Sequence, residues 1–489
     1  TTSIIRKLSQ LIQLFLFASN LHSISSKRPL LNDVKTSHYA VLVAGSNQFF
    51  NYRHQADVFH AYHILLDNKM PKENIIVMAY DDIAYNEMNP FKGKVFNRPD
   101  PQGFGHDYYE GVNIDYKGED VNPQNFLSIL RGDKEAVKGK GNGRVLESGS
   151  EDKVFIYFAD HGAVGLIAFP NDKLLYADEL TEVLKTMNKE KKYNKLVFYL
   201  ESCESGSMFK DVLPDNISVY ATTAASPVES SFAVYCDSKI FGLIISTCLG
   251  DEYSIAWLED SDKNNKSESL SQQFSLIEKK VRKSYPMQFG DMSFKEEPIF
   301  DYQGVQDSNN NNSTEERGYA NYVYSLFDNP FENLLDMLGI SREQSVNNKN
   351  ISQGNGHIND SSREIELDVM KDMSRINSRD VKLHYLYQQA NKAGNLGDNY
   401  ELSKELNQRR LIDDIFKTLA IELKLNLLGE DNSNIQFDCL RESVKEYRSQ
   451  CGNFTEYTLK YVQYLSVACK NSSVDTIKYV IQGICSDLL

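Results

Sequence analysis

The apolar, strand-like runs at residues 154–158 and 196–200 each end in reactive side chains. Asp160-His161-Gly162 follows the first, and Glu201-Ser202-Cys203-Glu204-Ser205-Gly206 follows the second. A cysteine and a histidine delivered by neighbouring strand ends supply a thiol and a base to share its proton. Backbone N–H groups of the same turns can receive the oxyanion formed in acyl transfer. Gly162, Ser202 and Gly206 are small enough for a substrate backbone to approach, and ligands collect at the C-terminal edge of parallel strands. The leading reading is a cysteine-dependent hydrolase with Cys203 as nucleophile and His161 as base. A lone cysteine after a strand is commonly an inert buried thiol, but the second reactive turn weighs against that here.

The elements that must position this pair alternate from His38 to about Gly304. Residues 39–44 read as strand, 55–68 as helix, 74–79 as strand, then the two reactive strands, then 218–222. Val58, Phe59, Tyr62, Leu65 and Leu66 share one face of the helix. This predicts an α/β sandwich with a central, mostly parallel sheet.

A chain of 489 residues, 41% hydrophobic, is too long for one ordinary core and implies two domains. Its net charge of −15 divides into +4 for residues 1–36, −12 for 37–304, −4 for 305–395 and −3 for 396–489. No basic surface emerges, so nucleic acid is not an expected partner. Arg6 and Lys7 precede an apolar run at 11–18, which reads as a secretory signal over residues 1–24, with an amphipathic helix as the alternative. Residues 25–36 are then a short propeptide, and no later stretch is long and apolar enough to span a bilayer. Residues 305–395 are taken as a linker and activation region, Asn- and Ser-rich to about 365 and exposed to cleavage. Helical spacing at 411–428, 458–470 and 474–485 marks a small helical domain over 396–489.

Seven cysteines suit a secretory route, and the odd count leaves one thiol free, for which Cys203 is the natural choice. Sequons at Asn216, Asn265, Asn311, Asn312, Asn350, Asn359, Asn453 and Asn471 fit the same compartment. Glu204 reads as a helix-start carboxylate, and Glu201 has the same alternative. His54, His60 and His63 lack a carboxylate or thiol at ligand spacing, so neither metal nor cofactor is expected. Arg131-Gly132-Asp133 reads as a surface loop rather than an adhesion motif.

Ala44-Gly45-Ser46-Asn47, Asn51-Tyr52-Arg53-His54-Gln55-Ala56-Asp57, Tyr80-Asp81-Asp82-Ile83-Ala84, Asp160-His161-Gly162, Glu201-Ser202-Cys203-Glu204-Ser205-Gly206-Ser207 and Tyr220-Ala221-Thr222-Thr223-Ala224-Ala225 occur in order. In these motifs the chain resembles the legumain family of asparaginyl endopeptidases and vacuolar processing enzymes, from about residue 37 to the end. The resemblance implies a caspase-like protease domain and a death-domain-like helical prodomain. It implies a zymogen of the lysosome, the vacuole or the secreted fraction, cleaving protein and peptide substrates after Asn, and after Asp at lower pH. It assigns His161 and Cys203 as the catalytic pair, Asn51 to place the imidazole, and the N–H groups of Gly162 and Cys203 to the oxyanion hole. Arg53, His54, Glu201, Ser231 and Asp251 match the specificity pocket. Both charges suit an Asn carboxamide, which is acceptor at one end and donor at the other.

By the same resemblance Asp160 can form a succinimide linked to a secondary peptide ligase activity, or it only orients the loop. Cystatin-type inhibitors are implied partners. Asn377, Asn391 and Asn395 are candidate processing sites, Asn377 matching best. Cys236 pairs with Cys248, Cys439 with Cys469 and Cys451 with Cys485 by analogy, although sequence alone allows three connectivities for the last four. The apolar segment 237–247 lacks the prolines of plant members, and Phe232 stands where animal members carry Tyr. Since the core and the C-terminal domain are both acidic, docking must rest on local contacts. Arg409, Arg410, Lys445 or Arg448 is expected to reach acidic pocket residues. The rivals are the related lipid-anchor transamidase, which lacks such a helical tail, and a non-enzymatic scaffold.

Overall fold

A computed structural model of the chain describes residues 36–99, 103–305, 375–394 and 399–488. The alternating pattern folds as β1 (His38–Ala44), α1 (Tyr52–Asp67), β2 (Ile75–Met78), α2 (Pro123–Arg131), β3 (Lys153–Ala159), a three-stranded meander β4 (Gly162–Ala163), β5 (Leu166–Phe169) and β6 (Lys173–Tyr176), α3 (Ala177–Lys189), β7 (Lys195–Glu201) and β8 (Val219–Thr223). Then come β9 (Phe232–Cys236), a hairpin of β10 (Lys239–Ile240) and β11 (Leu243–Ile244), β12 (Cys248–Asp251), α4 (Glu252–Ser261), α5 (Leu270–Lys280) and β13 (Met287–Gly290).

The central sheet runs β13-β8-β7-β3-β1-β2, parallel throughout except for β13. Period-two alternation sends successive side chains into two cores. Phe155, Tyr157 and Ala159 face one with α1, while Val154, Ile156 and Phe158 enter the other. Local sequence sets the helix ends. Asn122 caps α2 through the Asn125 N–H with Pro123 next to it, and Gly132 stops it at φ 71°. Helix α1 is buried far beyond its apolar face, enclosing Arg53, His54, Gln55, Asp57 and His60 as well. That burial of polar groups is the first structural sign of a site.

Residues 375–394 depart from the linker expectation. They form β14 (Ile376–Asn377), which joins β9 in the sheet β12-β9-β14, and helix α6 (Val381–Lys392). The C-terminal domain holds α7 (Tyr400–Glu422), α8 (Phe437–Gln450), α9 (Val462–Asn471) and α10 (Val474–Leu488). Helix α7 starts eleven residues before the expected Leu411, because charged residues outnumber Leu402 and Leu406 in its first turns. Asn399 caps it through the Leu402 N–H. Helix α8 escaped the sequence reading for the same reason, burying little beyond Leu440, Ser443, Val444 and Tyr447.

Three disulfides join Cys236 to Cys248, Cys439 to Cys469 and Cys451 to Cys485, and Cys203 is the free cysteine. The signal and propeptide readings, Asn311, Asn312, Asn350, Asn359 and Asn395 lie outside the described residues. Among the described residues no helix is long and apolar enough to cross a membrane.

Candidate active site

Strands β3 and β7 pair in register with Ala159 opposite Glu201. His161 and Cys203 therefore leave adjacent strand ends at equivalent positions, two residues further on. Glu204, directly after Cys203, is held in the left-handed region at φ 47°, with its N–H donating to the Glu229 carbonyl at 2.7 Å. A non-glycine residue in that conformation turns the chain sharply at the thiol. Cys203 is buried. Its Sγ accepts the Ser231 N–H at 3.3 Å and lies 3.7 Å from Ser231 Oγ. Burial pushes the thiol pKa up, while the Arg379 guanidinium works in the opposite direction.

His161 Nε2 stands 2.8 Å from Asn51 Oδ1, which places the ring proton on Nε2 and leaves Nδ1 as the basic nitrogen. Nδ1 has no partner. Burial lowers the imidazole pKa, partly offset by Glu456. Both shifts favour the uncharged thiol and the uncharged imidazole near neutral pH. Asp160 Oδ1 accepts the His161 N–H at 2.6 Å. Its carboxyl is pushed well up by burial.

Arg53 anchors the acidic side. Its Nε donates to Asp251 Oδ1 at 2.9 Å, and both side chains are fully buried. His54 places Nδ1 2.7 Å from Ser46 Oγ and Nε2 3.5 Å from Asp251 Oδ2. The Asp251 N–H donates to Asp57 Oδ2 at 3.1 Å, and Asn97 Nδ2 donates to Asp57 Oδ1 at 2.6 Å. Glu201 Oε2 accepts both the N–H and the hydroxyl of Ser254 in the first turn of α4, at 3.1 and 3.0 Å. Its helix-start alternative is therefore realised through that oxygen. Glu201 Oε1 and Asp251 Oδ2 are buried without a hydrogen bond, and burial raises the pKa of both carboxyls.

Residues 38–305 match the model described as the Peptidase C13 family, and residues 400–485 match that of the legumain prodomain. The chain belongs to the peptidase C13 family. Rat legumain is 38% identical over 92% of each chain. Human legumain is 53% identical over 55% of this chain and 60% of that one. The vacuolar-processing enzyme delta-isozyme of Arabidopsis thaliana is 38% identical over 97% of each. The chain is a cysteine endopeptidase with a zymogen prodomain, and proteins are its substrates.

In this peptidase the cleft is filled by the chain itself. Strand β14 pairs antiparallel with β9, Ile376 opposite Ala233 and Asn377 opposite Phe232. Ser378 then reaches the pocket: its carbonyl accepts from Arg53 Nη2 at 3.3 Å, and its hydroxyl lies 3.4 Å from Asp251 Oδ1 and 3.2 Å from Ser231 Oγ. Arg379 Nη1 donates to Ser230 Oγ at 2.9 Å, Nη2 to the Gly162 carbonyl at 2.8 Å, and the guanidinium pairs with Glu204. Glu204 therefore does not cap the short helix that follows it, whose start has no side-chain cap. It is a buried partner for a cation instead.

The prodomain adds Glu456, whose Oε1 accepts from Asn51 Nδ2 at 2.5 Å and lies 3.5 Å from His161 Nε2. Burial opposes this charge, but His161, Asn51 and Arg53 outweigh it and draw its pKa down to about 2. The expected cations do not reach the pocket. Arg409 pairs with Glu405 and Asp380 and donates to the Arg379 carbonyl. Arg410 bonds Asn407 within its own helix, Lys445 is exposed, and Arg448 acts on Asp172 and Tyr176. The residue that does reach in, Arg379, precedes the prodomain, and its signal was its place two residues after Asn377. Asn377 is half-buried in the cleft, whereas Asn391 is exposed on the last turn of α6. His60 sits between Asn97 and Asp262, and His63 lies against the Tyr108 carbonyl.

Proposed function

We propose that this endopeptidase cleaves peptide bonds after Asn, and after Asp at acidic pH, in a lysosomal, vacuolar or secreted setting. Cys203 attacks the scissile carbonyl, and His161 Nδ1 takes the thiol proton and returns it to the leaving amine. Asn51 holds the imidazole, and the N–H groups of Gly162 and Cys203 receive the oxyanion. Arg53, His54, Glu201, Ser231 and Asp251 form the specificity pocket. The observation that supports Asn most directly is the mixed polarity there. The Arg53 guanidinium meets a carbonyl oxygen, as it meets that of Ser378, while Glu201 Oε1 and Asp251 Oδ2 keep unpartnered acceptors for an amide NH2. A protonated Asp side chain offers the same donor and acceptor pair, so acid extends the range to Asp.

Acid also opens the zymogen in this reading. Burial raises the Glu204 pKa, and the docked Arg379 guanidinium works against that rise; protonation of Glu204 removes the charge that Arg379 pairs with, so acid weakens this contact. Asn377, Asn391 or Asn395 is then cleaved to free the prodomain. Asp160 supports a secondary ligase activity through a succinimide, and cystatin-type proteins are candidate inhibitors. The test is to acidify the full-length protein and follow matched peptides with Asn, Asp, Lys or Ala before the scissile bond, with Cys203→Ser as control. Acid-triggered, Asn-preferring cleavage absent from the variant supports the reading. Equal cleavage of the Lys and Asn peptides overturns it.

A further inference from the structure

The segment that fills the cleft also occupies a second seat, upstream of the pocket. Ser378 stands in for the residue before a scissile bond: its N–H donates to the Ser231 carbonyl at 3.1 Å, its carbonyl meets Arg53 and its hydroxyl meets Asp251. With Asn377 opposite Phe232 and Ile376 opposite Ala233, Arg375 takes the position three residues upstream of Ser378. A substrate strand paired with β9 in the same register presents its own side chain there. Arg375 pairs through Nε with Glu252 Oε1, and the two side chains are only 19% and 6% exposed. Glu252 follows the pocket residue Asp251 directly and opens α4. The N–H groups of Arg282 and Lys283 donate to its carboxylate at 3.2 and 3.4 Å, which fixes it toward this seat. Glu252 and Arg375 line a cavity of about 210 Å³ together with Val234, Tyr235, Ile255 and Glu259. The charge of Glu259 is met from elsewhere, by Lys280 at 3.6 Å and Arg98 at 3.7 Å, and the Tyr235 hydroxyl donates to it at 2.8 Å. Glu252 instead draws an ion pair from the segment in the cleft.

We propose that Glu252 forms an acidic subsite that selects substrates with an Arg or Lys side chain three residues before the residue whose bond is cut. The inference rests on the reading of Arg53, Asp251 and their neighbours as the pocket for that residue. When β14 leaves the cleft, Glu252 loses the Arg375 guanidinium, and a substrate cation takes its place. A carboxylate this deeply buried is costly without a counter-charge, and Val234 and Ile255 suit the aliphatic stem of Arg or Lys. A neutral substrate residue leaves the cation missing, and an acidic one brings like charges together.

The test activates the full-length chain in acid and supplies peptides with Asn, Asp, Lys or Ala before the scissile bond, each made with Arg, Ala or Glu three residues upstream. Which residue is cut after tests the pocket reading; the ratio of kcat/KM between the Arg and Ala versions of whichever peptide is cleaved tests the subsite, so the two fail separately. Arg is expected to be favoured over Ala about tenfold, Glu to be the poorest of the three, and the ratio to shrink in high salt. This series needs no variant. Glu252→Gln should bring the Arg-to-Ala ratio close to one, and Glu252→Lys should favour the Glu peptide over the Arg peptide. Moving the Arg to two or four residues upstream should lose the preference. Equal ratios for Arg, Ala and Glu in the wild type, or an Arg preference that persists in Glu252→Gln, overturns the proposal.

Discussion

Two parts of the chain close the same cleft by different physics. Residues 376–380 enter as an added strand on β9 and place Arg379 against Glu204. The prodomain instead lies on the β4–β6 meander, where Ala163, Val164, Leu166 and Tyr176 share one core with Ile412, Phe416 and Leu440. Gly165, at φ 72°, leaves room for Ile435, whose side chain would lie 2.9 Å from an added Cβ. Backbone pairing and a buried ion pair are directional and sensitive to proton uptake, whereas an apolar seat is broad and indifferent to it. In the proposed acid opening, the inner closure is therefore expected to respond first, and the outer one is left with Glu456 as its charged contact to His161.

The largest effect expected in testing that contrast removes the chemistry itself. Cys203→Ser or His161→Ala should reduce peptide cleavage by roughly 10³-fold or more, and on acidification a gel should show the full-length chain intact. Arg379→Ala leaves Glu204 buried without its cation, so the inner closure should weaken by about 2–5 kcal/mol. Its readout is faster release of the prodomain at neutral pH. If release is unchanged, the apolar seat alone holds the zymogen.

Gly165→Ala strikes the outer closure: a side chain at positive φ facing Ile435 should cost about 1–3 kcal/mol. It should lower the thermal midpoint of the zymogen equally at neutral and acidic pH. Glu456→Gln is expected to cost about 1–2 kcal/mol near neutrality. Because docking draws the Glu456 pKa from an ordinary 4.5 to about 2, its stabilisation is present above pH 4.5 and lost as pH falls toward 2. A pH series of midpoints for the variant should lack that step. Arg441→Ala, which breaks a half-exposed pair with Asp178, should change docking by less than about 1 kcal/mol.

The strand edge that carries the proposed catalytic pair was legible because chemistry and periodicity coincide there. Apolar strands at 154–158 and 196–200 end in His161 and Cys203, and the pairing of Ala159 with Glu201 follows from parallel register. The pocket residues came from motif resemblance, and the structure brings Arg53, His54 and Asp251 into mutual contact. Glu204 stands at the start of a short helix as read, but its side chain pairs with Arg379, a cation 175 residues away that local sequence does not reveal. The roles of Arg379, Ser378 and Glu456 were not legible beyond the nearness of the first two to Asn377, because their partners lie 175, 127 and 405 residues away in the chain. Helix α8 was missed because its buried face is too narrow to dominate a charged sequence.

The measurement that tests the closure most directly is the labelling rate of Cys203, the free cysteine, in the full-length protein. A dipyridyl disulfide, which reacts in acid, would be used near pH 7 and near pH 4.5 on the wild-type chain and on Arg379→Ala. Slow labelling of the wild type is expected at neutral pH, with rapid labelling in acid and rapid labelling of the variant at both. Rapid labelling of the wild-type zymogen at neutral pH would contradict it.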